Sequence, residues 1–435
     1  MAKTWWNTAA AAVLLVLLAA VCRGEKPVEP SEKRLTPEQI LLTRIRVRAQ
    51  ENLQALPNYT CLETIERSVR KSSSRRFELV DLLRLEVAYV NRRELFAWPG
   101  SSQFDDRDIT EMVGHSGAIG NGSFALHVSG LFLSSAPSFR HVGKVNHEGR
   151  VFIQFDYSVP RLTSNYRMRV RPAEAFVGYE GSFWVHPETL DLEKLTLHVN
   201  DIPPTLPILS SSQTLLYHRV RIGEQDFLLT KTADLSITDL GGNESRNRTT
   251  FSNCRQYAIE SVIRFEDVPE DPKVLAQPPQ RVVLPPDLEI GVQLENEIVA
   301  GVSAIGDPVR GWVVSDVKRK KQIYVPRGAV VKGRLVRMQR LRLNGSVFWQ
   351  AGLRLERLEF GNRFVELEAT LDPSLSAPLP AWRSAAREPF FILRESNSED
   401  PRTGILFLRG EQAKVAAGTR LYWRTLPPSS IEESK

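Results

Sequence analysis

The spacing of apolar residues predicts one amphipathic helix near the start of the chain. Residues 36–56 read TPEQILLTRIRVRAQENLQAL, and apolar side chains recur there at helical spacing, at Leu41, Ile45, Ala49, Leu53 and Leu56. Thr36 can cap the helix, Pro37 suits the first helical position, and Gln39 completes a capping box. We therefore expect a helix with one apolar face over this segment.

Beyond the helix, the pattern changes to strict alternation, which predicts strands. LLRLEVAYV places apolar residues on one face, at Leu83, Leu85, Val87 and Tyr89. RVFIQFDY does the same with Val151, Ile153, Phe155 and Tyr157. Similar segments follow near 166–171, 176–186, 189–199, 213–222, 225–237 and 251–265. A period of two indicates antiparallel strands with one face in water, and the short gaps between the segments indicate a meander.

A glycine-rich segment interrupts this series of strands. Residues 114–135 read GHSGAIGNGSFALHVSGLFLSS, and four apolar residues fall on one helical face, at Phe124, Val128, Leu131 and Phe132. The segment lacks the spacing of a P-loop or a dinucleotide-binding fingerprint. It is either a hinge followed by a packed helix or a mobile cover over a cavity.

A proline-rich segment divides the chain. Residues 268–286 read VPEDPKVLAQPPQRVVLPP, and because proline donates no ladder hydrogen bond, we expect a stiff linker there. Short alternating segments resume after it, and FVELEATL places four apolar residues on one face, at Val365, Leu367, Ala369 and Leu371. The pattern predicts one domain over 36–267 and a small β-barrel or β-sandwich domain over 287–428.

The first residues have the form of a secretory signal. In MAKTWWNTAAAAVLLVLLAAVCRGEKP a lysine precedes an apolar run, Ala9 to Val21, that is too short to span a bilayer comfortably. We assign residues 1–24 to a signal peptide and expect a periplasmic or secreted protein. AAVC also resembles a lipoprotein cleavage box, although Val21 is unfavourable before a lipidated cysteine. Cys22 is then either removed with the leader or lipidated in an outer-membrane form.

The three cysteines allow one disulfide to be predicted if the protein is exported. If Cys22 is removed or lipidated, Cys61 and Cys254 remain, and two thiols in an oxidising compartment predict one disulfide. The alternative is two buried free thiols. A disulfide would bring the start of the first domain next to its end.

Charge narrows the class of partner only slightly. The 435 residues carry a formal charge of +6, which fits ordinary solubility or a weak attraction to anionic lipid headgroups. Two basic clusters fall between predicted strands: Arg70, Lys71, Arg75, Arg76, and Lys318, Arg319, Lys320, Lys321. They are solvated hairpin tips or contacts with anionic lipid or glycan. We expect no nucleic acid partner, because no stacking aromatics accompany the charge.

No arrangement of residues indicates catalysis. The histidines within residues 115–147 lack the i,i+4 spacing of metal ligands; they are His115, His127, His141 and His147. GHSG is not a nucleophile elbow, and SVRK and SDVK match S-x-x-K only by letters. We therefore predict that the protein is not an enzyme, with no metal, cofactor or catalytic residue. A hydrolase would require a cluster of perturbed titratable groups in one cleft.

Residues 36–267 resemble the half-barrel family of bacterial lipoprotein carriers, LolA and LolB, and the related regulator RseB. The resemblance rests on the helix ending in LPNYTC, the long consecutive strands, the inserted apolar helix and GYEGSFWVHPETLDLEKLTLHV, with Gly181, Trp184, Pro187 and Thr189. It implies a mainly β (α+β) fold, in which a curved antiparallel half-barrel sheet with covering helices encloses a cavity for acyl chains. Apolar residues that could line this cavity, or simply form core, are Trp98, Phe104, Phe124, Leu131, Phe132 and Trp184.

Residues 288–372 are similar to the β-domain of TrbI-type secretion scaffolds. The matching run is LEIGVQLENEIVAGVSAIGDPVRGWVVSDV followed by IYVPRGAVVKGRLV, with a P-x-G-x-x-x-x-G hairpin at Pro326, Gly328 and Gly333. This resemblance implies a periplasmic assembly or docking module.

Two functions remain after these steps. The first is a non-enzymatic binding protein for a lipid or a lipidated envelope partner, with peripheral membrane contact as an option. The second is an envelope assembly or scaffolding module that acts through protein–protein contacts.

Overall fold

The computed structural model describes residues 35–91, 93–101, 104, 109, 126–170, 172–257, 278–343, 345–372, 390–392 and 400–427. The chain divides into two compact units, residues 1–44 and 45–435. Within the first unit the described residues form the beginning of helix α1 (Pro37–Ala55). The capping box is confirmed, because the Thr36 amide donates to Gln39 Oε1 at 2.9 Å and the Gln39 amide donates to Thr36 Oγ1 at 3.3 Å.

The second unit is built mainly from strands. From residue 59 to 256 its elements are β1 (Tyr59–Arg70), β2 (Glu78–Val90), β3 (Arg93–Ala97), α2 (Leu126–Phe132), β4 (Ser138–His147), β5 (Arg150–Val159), a 3₁₀ turn (Arg161–Thr163), β6 (Arg167–Val170), β7 (Ala173–Phe176), β8 (Gly178–Val185), β9 (Leu192–Asp201), β10 (Ile208–Ile222), β11 (Gln225–Asp239) and β12 (Glu244–Gln256). In the described part of the chain, no helix is long and apolar enough to cross a membrane.

Ten of these described strands pair into one antiparallel sheet. Their order across the sheet is β3-β2-β1-β12-β11-β10-β9-β8-β5-β4, and β6 and β7 form a separate hairpin. β1 is therefore the third strand from one edge, next to β12, the strand that ends this part of the chain. The predicted fold class, mainly β with a large curved antiparallel sheet, is confirmed.

The alternation predicted for β2 is confirmed, and that for β5 needs one correction. Leu83, Leu85 and Val87 are fully buried. In β5 the residues from Ile153 onward alternate as predicted, but Val151 is exposed and Phe152 is buried. Phe152 faces the other side of the sheet, where the Trp184 ring stacks on it, so burial at this end of the strand does not follow a single face.

The disulfide between Cys61 and Cys254 is confirmed. It joins neighbouring strands, and the two Cα atoms are 4.1 Å apart. The pairing of β1 with β12 shifts at this point, and Asn253 adopts φ 51°. One extra residue in β12 makes a bulge that sets Cys254 beside the fully buried Cys61. The start and the end of the predicted first domain therefore meet, as predicted from the two cysteines.

The remaining described strands belong to the predicted linker, for β13, and to the predicted second domain, for all the others. They are β13 (Gln280–Arg281), β14 (Glu289–Leu294), β15 (Ile298–Val299), β16 (Pro308–Val313), β17 (Val317–Arg319), β18 (Gln322–Val325), β19 (Val330–Leu343), β20 (Ser346–Phe360), β21 (Arg363–Glu366), β22 (Ala369–Leu371), β23 (Phe390–Ile392), β24 (Gly404–Arg409), β25 (Lys414–Val415) and β26 (Arg420–Thr425). Their main pairing runs β22-β26-β14-β16-β19-β20, and β20 then pairs with β21 and β24.

The two predicted domains touch closely. Ile305 exchanges two backbone hydrogen bonds with β2, each 2.8 Å long, and Asp81 pairs with Gln339 of β19. Arg67 and Asp81 form an ion pair beside this junction, with each side chain 4% exposed. Part of the predicted linker also pairs, since β13 lies parallel to β21. The division into two domains stays a prediction, and the described residues of both halves share one apolar core.

Candidate functional site

Helices α1 and α2 cover a small apolar pocket on one side of the sheet. From residue 45 onward α1 turns a single stripe toward it, formed by Ile45, Ala49, Asn52, Leu53 and, just past the helix end, Leu56. The short helix α2 adds Val128 and Phe132, which are one turn apart. The amphipathic patterns predicted from sequence for these two segments therefore converge on one pocket.

The sheet supplies the opposite wall of the pocket. Its lining residues come from β1, the β8–β9 turn and strands β8 to β11, and they are Tyr59, Val185, Leu190, Leu192, Tyr217, Leu228 and Thr230. Burial raises the pKa of the Tyr217 phenol, while a hydrogen bond with Thr230 lowers it in part. The pocket is thus largely apolar, with a few hydroxyl and amide groups.

In this structure the pocket is almost filled. Its free volume is about 30 Å³, which is room for about two water molecules. Sites that hold small organic ligands usually measure about 300–1,000 Å³. The helices therefore sit close to the sheet, and a larger guest requires one of them to move.

One set of hydrogen bonds ties α2 to α1. Arg46 donates from Nε to the carbonyl oxygen of Phe132 at 3.1 Å and from Nη2 to that of Ser134 at 2.9 Å. The last carbonyls of a helix lack partners within the helix and carry partial negative charge, so a guanidinium is a favourable cap there. We call these two bonds the α2 latch.

A second set ties α1 to the sheet through Asp191 in the β8–β9 turn. Asp191 accepts hydrogen bonds from Arg48 Nε at 3.2 Å and Asn52 Nδ2 at 3.3 Å. Arg219 of β10 binds the same carboxylate with two nitrogens, both at 2.8 Å. The Asp191 side chain is 14% exposed, and we call this group the α1 latch.

The structure separates the residues proposed to line a cavity. Phe132 lines the pocket and Leu131 beside it is buried. Trp184 lies on the opposite face of β8, where Lys194 Nζ sits 4.4 Å from its ring centroid. Trp98 is 5.5 Å from the guanidinium of Arg334, and Phe104 packs edge-on against Tyr257 with the ring centroids 5.4 Å apart. Phe124 lies outside the described residues.

A buried carboxyl group on β1 was not predicted as a site from the sequence. Glu63 shares a face of β1 with Tyr59 and Cys61, and it is 5% exposed. Burial, and then the charge of Glu94, raise its pKa to about 8. Its position in an alternating strand, in step with Cys61, is the signal that could have revealed it.

The histidines that lack the spacing of metal ligands contact different aromatic rings. Burial lowers the pKa of His127 to about 4, although a hydrogen bond with Gln213 raises it in part, and the His127 ring lies 5.7 Å from that of Tyr166. His141 and His147 contact the rings of Phe155 and Trp184. His115 lies outside the described residues. Within the described ranges, no three histidine, cysteine or acidic side chains are grouped closely enough to hold a metal ion.

Comparisons with known proteins add little. No family model and no curated protein matches the chain. Solved structures similar to it include a DUF1329 family protein from Desulfovibrio piger, with 9% identity over 51% of this chain and 93% of that one and a TM-score of 0.28. A LolA superfamily protein from Nitrosomonas europaea has 9% identity, coverages of 50% and 94% and a TM-score of 0.27. An outer membrane lipoprotein-sorting protein domain from Vibrio parahaemolyticus has 12% identity, coverages of 51% and 95% and a TM-score of 0.26. At these scores the fold assignment rests on the strand pairing of this chain itself.

Proposed function

We propose that this protein is a non-enzymatic binding protein for an acyl chain, carried by a lipid or by a lipidated protein of the cell envelope. The observation that supports this most directly is the apolar pocket under α1 and α2. An acyl chain in contact with such a lining gains about 25 cal/mol for each Å² of apolar surface removed from water, without any chemistry.

Binding requires the pocket to open, and the two latches indicate how. The α2 latch uses one side chain, Arg46, and the α1 latch uses one carboxylate, Asp191. Both consist of polar contacts at the edge of an apolar interface. Breaking them lets a helix lift away, and its apolar stripe is then replaced by the acyl chain as the cover of the sheet.

The compartment forms part of the proposal. Disulfides persist outside the reducing cytosol, so the bond between Cys61 and Cys254 supports a periplasmic or secreted location. A lipid-anchored outer-membrane form through Cys22 remains the alternative. For residues 287–428 we propose docking to envelope proteins, because the sequence of residues 288–372 resembles the β-domain of TrbI-type scaffolds.

Titration of delipidated protein with a fluorescent fatty-acyl probe tests the binding function. Leu53→Arg places a charge in the pocket lining and should weaken probe binding by at least about tenfold, because an unpaired charge is costly in an apolar site. Val47→Arg is the matched control, since Val47 lies on the same helix, is 50% exposed and should bind normally. Failure of the wild type to take up the probe, or an equal loss in both variants, would contradict the proposal.

The opening step has its own test. Arg46→Ala removes both bonds of the α2 latch, so the probe should enter faster while the pocket lining is unchanged. Stopped-flow fluorescence measures this rate. An unchanged rate would show that the α2 latch does not control access.

A further inference from the structure

The second half of the chain carries a concentrated positive charge at one hairpin tip. β17 and β18 pair with Lys318 opposite Ile323 and Arg319 opposite Gln322, so Lys320 and Lys321 form the turn. Lys320 adopts φ 55°, as a tight turn requires. All four consecutive basic side chains from 318 to 321 are exposed. We call these residues the basic tip.

The charge of the basic tip is not neutralised by the described part of the protein. None of its lysines has a carboxylate partner within 4 Å there, and the Arg319 guanidinium donates to a neutral group, the carbonyl oxygen of Pro286. Some cations elsewhere in this half are paired, for example Lys332 with Glu359 at 2.6 Å and Arg334 with Glu356 at 2.7 Å. The field of the basic tip therefore projects into solvent.

An apolar side chain accompanies the charge. Ile323 is the cross-strand neighbour of Lys318 and is 55% exposed. An apolar side chain with this exposure makes no favourable contact with water or with a soluble polyanion. It does gain at a lipid interface, where apolar groups enter the boundary between headgroups and acyl chains.

We propose that the basic tip docks the protein onto an anionic phospholipid surface. Each Lys or Arg close to such a surface raises the membrane partition coefficient by about fivefold, and the effect decays within a Debye length. Several cations and one apolar side chain together give reversible peripheral attachment. This docking does not depend on the acyl-binding pocket, which belongs to the other half of the chain.

Vesicle co-sedimentation of the full-length protein tests the proposal. Vesicles of phosphatidylcholine mixed with phosphatidylglycerol should bind it, and vesicles of phosphatidylcholine alone should bind it weakly. Lys320→Ala with Lys321→Ala should lower the partition coefficient on the anionic vesicles by about 25-fold, which is two factors of about five. Salt at about 1 M, where the Debye length is about 3 Å, should release the wild type.

The β1–β2 turn supplies the matched control. Arg75→Ala with Arg76→Ala removes the same charge from another exposed turn, where Glu244 pairs with neighbouring Arg70. This variant should bind vesicles like the wild type, and an unchanged thermal midpoint should show that both variants are folded. Equal losses in the two variants would mean that net charge alone drives binding and would overturn the proposal. So would equal binding to both vesicle types, or binding to a soluble polyanion such as heparin without binding to vesicles.

Discussion

Because of Glu63, the free energy of unfolding of this protein should fall as the pH rises, and one substitution should remove that dependence. The carboxyl group lies on the buried face of β1, with Leu85 and Phe251 opposite it on the neighbouring strands. Burial and the nearby charge of Glu94 raise its pKa from 4.5 to about 8. Glu63→Gln replaces it with a neutral group of the same shape that does not titrate.

The magnitude follows from the difference in proton binding between the two states. Below pH 4.5 the Glu63 carboxyl is protonated in both the folded and the unfolded state, so its titration takes nothing from the stability of the protein there. Above pH 4.5 the unfolded chain ionises while the folded chain keeps its proton until about pH 8. In this window stability falls by at most about 1.4 kcal/mol per pH unit, which gives about 2–3 kcal/mol between pH 5 and pH 7. Above about pH 8 both states are ionised and the effect of this group is constant.

Urea unfolding followed by circular dichroism at a series of pH values measures the effect. The wild type should lose about 2–3 kcal/mol more than the Glu63→Gln variant between pH 5 and pH 7, because all other groups are shared. Glu66→Gln is the control, since Glu66 is exposed on the other face of the same strand and should follow the wild type. Parallel curves for the wild type and the Glu63→Gln protein, within about 0.5 kcal/mol, would refute the reasoning.

Three further predictions concern the fold, each measured by chemical unfolding. Replacing Cys61 and Cys254 with alanine should lower the free energy of unfolding by up to about 5 kcal/mol, since the disulfide closes a loop with a sequence separation of 193. A wild-type unfolding midpoint that does not change when the disulfide is reduced would contradict this. Arg67→Ala should lower the free energy of unfolding by about 3–5 kcal/mol, because it leaves the buried charge of Asp81 without a partner. The double variant Arg67→Met with Asp81→Leu should recover most of this loss. Gly181→Ala should cost about 1–3 kcal/mol, because a Cβ there would overlap a backbone oxygen of β9; a stability equal to the wild type would show that the strands can separate.

The sequence revealed most where burial follows a regular period. The alternation in β2 and the helical stripe of α1 both predicted which side chains turn away from water, because the pleat of a strand and the turn of a helix fix those directions locally. Strand β4 was missed for the corresponding reason. It pairs with β5 among the described strands, most of its side chains are exposed, and SFRHVGKVNH therefore has no apolar alternation to detect.

The residues of the site were harder to predict. Phe132 was predicted from the helical spacing of apolar residues in its segment, and it lines the pocket. Trp184 was proposed as another apolar residue of the cavity, but the register of β8 turns its ring to the other face of the sheet. The α1 latch joins residues far apart in sequence, as Arg48 and Asp191 show, and single charged residues carry no signal of their partners.

By itself, the sequence determined the class of fold, the two helical segments and the pairing of Cys61 with Cys254, since each depends on local periodicity or on elimination among few residues. Tertiary structure alone decided that Arg46 and Asp191 hold the two helices by hydrogen bonds, and that the halves of the chain share a core. These features arise when distant strands and helices pack, and the environment of a side chain is then set by neighbours that its own segment does not encode.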